Sequence, residues 1–140
     1  MVLNLILDVN WLAIIVSVII SVVLGFLWYG PLFGKPWMKL MNINPKDVDK
    51  KKKRMGKTYF VMIISTLISV YILSLLIINL GATTIMEGAM IGFLVWIGFI
   101  ATITLSSVLW EGKSIKLYML NNSYNLIVNL IAGALLAVWR

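Results

Sequence analysis

Six polar residues could share one end of this chain: Tyr29, Lys35, Glu111, Lys113, Asn121 and Tyr124. Two phenols, an acid, two lysines and a carboxamide would make a shallow hydrogen-bonding pocket. They do not make a catalyst, because no nucleophile among them stands beside a base able to activate it. The chain has no cysteine and no histidine. That removes disulfides, thiolate nucleophiles, sulfur or imidazole metal ligands and the commonest general base. The expectation is a protein that binds or packs, with no catalytic residue, no metal and no cofactor.

The elements that must position these residues are set by hydropathy. Of the 140 residues, 61% are hydrophobic, and the mean hydropathy is +1.01. A water-soluble domain averages roughly 45–50% apolar residues and would carry such an excess as exposed patches. Four apolar segments account for it, at about 11–29, 58–80, 88–110 and 118–139. Each approaches the ~20 residues that a helix needs to cross a hydrocarbon core of ~30 Å. All five acids and all twelve bases lie outside these spans or at their ends. A buried base or acid would cost about 2.5–3.5 kcal/mol at a helix centre, so insertion is favoured throughout. The predicted fold is all-α: a single transmembrane domain over residues 1–140, built as a compact bundle of four transmembrane helices. Asp8 precedes the first segment, no base does, and no small-residue cleavage pattern follows, so that segment reads as a retained helix.

The bases fix an orientation. Nine of them lie in the loop 30–57, two more in the loop 111–117, and the twelfth is the terminal Arg140. By the positive-inside rule both loops face the cytoplasm and both termini lie outside, in a cell (plasma) membrane. The run Lys50, Lys51, Lys52, Lys53 and Arg54 could also hold anionic lipid head groups, at roughly 1 kcal/mol per base. Nucleic acid is not an expected partner, since no base-reading surface accompanies the charge. Within "LGFLWYGPLFGKPW" (24–37), Trp28 and Tyr29 would sit at the inner interface, and Gly30-Pro31 would stop the helix. The following aromatics and lysines read as a short surface segment, rings down and Lys35 and Lys39 up. Asn44-Pro45 begins a cytoplasmic helix that leads into segment two and is interrupted at Gly56. Trp96, alone of the tryptophans, reads as packed inside the bundle.

Small residues recur every fourth position: Ala13, Ser17, Ser21 and Gly25 in segment one, and Asn121, Asn125, Asn129, Gly133 and Ala137 in segment four. Gly88 and Gly92 do so in segment three, and Ser65 and Ser69 in segment two. Such rows lie on one helix face and let backbones approach closely. They predict tight helix packing, within the chain or in a homo-oligomer. The asparagine row could alternatively line a water-filled path. "LWYG" (27–30) and "LWEG" (109–112) also end corresponding segments, which read as a duplication gives two parallel helical hairpins.

The stretches "LGFLWYGPLFGKPW", "WIGF", "LWEGKSIKLYMLNNSYNLIVN" and "GALLAVW" resemble the bacterial and archaeal membrane proteins grouped as domain of unknown function 1761. The resemblance implies a four-helix integral membrane protein of a prokaryote and carries no activity with it. The leading expectation is a non-enzymatic structural or interaction protein forming a homo-oligomer. The alternatives are a channel or carrier for a small solute, and a lipid-binding protein.

Overall fold

The computed structural model describes residues 8–140, and for 48–54 the backbone alone. Among the described residues every regular element is helical. Helix α1 (Trp11–Leu27) starts at Asn10, whose side chain accepts from the Ala13 amide at 3.1 Å, and runs on through a π-helical turn, Trp28–Leu32. A short α2 (Gly34–Leu40) follows, then α3 (Val48–Asn79). Helix α4 (Ile85–Val95) opens with a capping box between Thr84 and Glu87. It passes through a second π-helical stretch, Trp96–Ala101, into the brief α5 (Thr102–Thr104) and α6 (Ser106–Leu109). Helix α7 (Ile115–Val138) is capped by Ser114 and closes the fold.

Three helices are long and apolar enough to cross a membrane: Trp11–Leu32, Met55–Asn79 and Ile85–Leu109. Helix α7 has the length, 24 residues or about 36 Å at 1.5 Å per residue. Its four asparagines dilute its apolar character. α7 is the central helix, packed on α1, α3 and α4, and its Asn121 and Asn122 side chains bond side chains of neighbouring elements.

The helix boundaries depart from the sequence reading in three places. Pro31 does not stop the first helix. It sits inside the π-helical turn, where the wider ring relieves the clash that proline causes in an α-helix. Helix α3 begins at Val48, ahead of the apolar segment as expected, but runs through Gly56 without the expected interruption, because lysines propagate a helix well although they cannot enter lipid. "LWYG" continues a helix whereas "LWEG" leaves one, so the two tetrapeptides do not share a conformation.

The tightest packing joins α4 to α7. A Cβ placed on Gly88 would overlap the Gly133 carbonyl, and one on Gly92 would overlap the Asn129 carbonyl. These two rows of small residues therefore press backbone to backbone, as close helix pairs in membranes do. Ala13, Ser17 and Ser21 are likewise buried on α1. The rows from which an oligomer was expected are thus occupied within the chain. Helix α3 behaves differently. No residue from Met55 to Ser69 is buried, and burial begins only at Val70. It packs mainly on α1 and α7 and meets α4 sparingly. Its N-terminal half therefore stands away from α4 and leaves a cleft.

Candidate functional site

Two groups of polar residues occupy the bundle. The first closes the end that carries the lysine-rich loops. Tyr29 donates its hydroxyl to Asn121 Oδ1 at 2.8 Å, and Tyr124 donates to the Ser21 carbonyl at 2.7 Å. Trp28 donates its indole N–H to the Leu120 carbonyl at 3.1 Å. The rings pack edge to face: Tyr29 on Tyr124 with centroids 5.5 Å apart, and Trp37 on Tyr29 at 5.4 Å. Gly25 admits the Tyr124 hydroxyl, which a Cβ there would crowd at 3.1 Å. Gly34 admits the Tyr29 carbonyl, which would lie 2.8 Å from an added Cβ. The hydroxyls of Tyr29 and Tyr124 and the indole of Trp28 have each found an acceptor. It is a lock between the first and last helices.

Of the six residues grouped from sequence, Tyr29, Asn121 and Tyr124 come together in this lock. Lys35, Glu111 and Lys113 do not join it. Lys35 is exposed, while Glu111 and Lys113 pair with each other at 2.9 Å in solvent. The side chains of Lys50, Lys51, Lys52, Lys53 and Arg54 lie outside the described residues. A second lock, not anticipated from sequence, joins the Trp96–Ala101 stretch and α5 to α7. The buried Asn122 donates to Thr104 Oγ1 and to the Tyr118 carbonyl, both at 3.1 Å. Trp96 donates to the Asn122 carbonyl at 3.0 Å, and Tyr118 to the Ala101 carbonyl at 2.6 Å. The π-helical stretch supplies that acceptor, since a π turn frees a carbonyl from the ordinary ladder. The readable signal was the Asn121-Asn122 pair, which on a helix must serve two faces.

The second group lies near the middle of the long helices, around a cavity of about 210 Å³. Ser65, Thr66 and Ser69 of α3 form one wall, and Ile100 of the π-helical stretch faces them. Tyr124, Asn125 and Asn129 of α7 line it from the centre, with Ser21 behind. Asn129 is 8% exposed and donates its Nδ2 to the Asn125 carbonyl at 2.8 Å. Its Oδ1 has no partner among the described residues, nor do the Asn125 carboxamide and the hydroxyls of Ser65 and Ser69. Tyr124 is common to both groups: its ring faces the cavity while its hydroxyl belongs to the lock. The asparagine row therefore divides, Asn121 to a helix contact and Asn125 and Asn129 to a cavity.

Such a site can bind but offers no charged group to do more. Among the described residues no cluster of acids could hold a metal ion. No curated protein and no solved structure matches the chain. One family model does, over residues 12–137, from the first helix through the tight face of α7 to Ala137. The chain belongs to that family, the proteins of unknown function DUF1761.

Proposed function

We propose that this protein is a four-span membrane protein that binds a small uncharged, hydrogen-bonding group at the bilayer midplane. In this reading α7 crosses with the other three helices, loops 30–57 and 111–117 face the cytoplasm, and both termini lie outside. The orientation is supported by the concentration of bases at one end. The role is binding and not catalysis, in keeping with the neutral amides and hydroxyls that the cavity offers.

One observation carries the proposal. Two asparagines and two serines point unspent hydrogen-bonding capacity toward a cavity at mid-span. Polar groups at that depth are expensive and mark ligand pathways when no helix contact uses them. A helix broken by a π-helical stretch beside the cavity is a second support, since such stretches gather at functional sites. An ionic cargo is disfavoured: no acid or base lines the cavity to balance it.

Native mass spectrometry of protein released from mild detergent tests this. The wild-type chain is expected to retain a small molecule that Asn125→Leu loses while keeping its helical circular dichroism. Equal retention by both would overturn the reading. The same spectrum reports stoichiometry. A stable oligomer whose interface covers the cavity would instead favour the interaction role.

A further inference from the structure

The cavity has a side door. Its α3 wall, Ser65 and Ser69, is exposed, and α3 only sparingly meets α4, whose continuation carries Ile100 on the far wall. Between them the cleft opens sideways, at the level where four membrane-crossing helices would face hydrocarbon. At the basic end the way is shut by the Tyr29–Tyr124–Trp37 ring layer. In the four-span reading that sideways opening faces lipid.

Resting on the binding role proposed above, we infer that the ligand is a membrane-dissolved molecule with an apolar body and an uncharged hydroxyl head, which enters laterally between α3 and α4. The unspent groups select that head. A hydroxyl both donates and accepts, so it can give its proton to Asn129 Oδ1 and accept from Asn125 Nδ2. A ketone or ester carbonyl could only accept, and would leave Asn129 Oδ1 buried without a donor, which is costly. A carboxylate or ammonium would bring a charge that no residue lining the cavity balances. The apolar body then lies along Ile100 and the exposed face of α3.

The test uses the full chain in nanodiscs doped with farnesol, a long-chain alcohol, or with its parent hydrocarbon lacking the hydroxyl. Bound mass is read after release. At least tenfold more adduct with the alcohol is expected, and glycerol in the buffer should not displace it. Asn125→Leu and Ser69→Leu should each abolish the adduct, with Ser123→Ala, on an exposed face, as a folded control that keeps it. Equal uptake of alcohol and hydrocarbon would overturn hydroxyl recognition. Displacement by glycerol would overturn the lipid route while leaving the binding role standing. No adduct with either probe, together with an unchanged endogenous mass in Asn125→Leu, would sink both. A covalent dimer from a photoreactive residue at position 68, exposed on α3 beside Ser65 and Ser69, with no small-molecule adduct, would overturn the proposal by showing that a second copy covers the door.

Discussion

The lock at the basic end and the cavity at mid-span draw on the same residue types, asparagine, serine and tyrosine, on overlapping turns of the same helices. They differ in whether the hydrogen bonds are made. In the lock, Tyr29, Tyr124 and Trp28 each donate to a fixed acceptor on another helix. Four residues further along α7 the Asn125 carboxamide has no such partner. Inside a bilayer a spent polar group is a fastener, worth about 0.6 kcal/mol on average. An unspent one is a standing cost that only a ligand or partner removes. The lesson is that polarity in a membrane helix says little until its bonds are counted.

The comparison can be broken at its frame. Gly92→Leu would drive a side chain into the Asn129 carbonyl, forcing α4 off α7 and disturbing both regions together. A loss of about 3 kcal/mol or more is expected, read as failure to recover monodisperse, helical protein. Asn122→Ala strikes the second lock alone. It removes two donated bonds and opens a void beside Thr104, at about 1–2 kcal/mol, and should lower the melting temperature without changing retained ligand. The smallest effect belongs to Glu111→Gln, which breaks an exposed pair and should alter stability by less than about 0.5 kcal/mol. A larger drop there would mean that the acid joins the lock in the membrane.

The sequence made the helical segments plain because charge and hydropathy separate so cleanly, and four-residue spacing revealed which faces are narrow. Gly88, Gly92, Asn129 and Gly133 meet as that spacing implies. What spacing does not encode is the partner across the gap. Asn121 and Asn125 occupy the same row, yet one meets Tyr29 and the other a cavity, because α3 leans away below Val70. That lean depends on tertiary packing and leaves no mark in a hydropathy profile. Pro31 and Trp96–Ala101 were illegible for a related reason. A π-helical turn is stabilised by contacts such as Tyr118 to the Ala101 carbonyl, which join residues distant in sequence. The inner cluster was overdrawn by adding Lys35, Glu111 and Lys113, since charged side chains near an interface gain more from water than from a buried phenol.

The central claim, that the lock holds the fold and the cavity awaits a ligand, is tested most directly by comparing two single variants in ligand-free detergent. Tyr124→Phe removes a hydroxyl bonded to the Ser21 carbonyl at 2.7 Å, leaving that carbonyl only its place in the α1 ladder. Asn125→Leu removes an unbonded carboxamide and supplies apolar bulk to the cavity. Thermal unfolding followed by circular dichroism should show Tyr124→Phe destabilised by about 1 kcal/mol. Asn125→Leu should be unchanged or more stable. If Asn125→Leu loses as much as Tyr124→Phe, its amide is a fastener like the others, and the cavity is not a binding site.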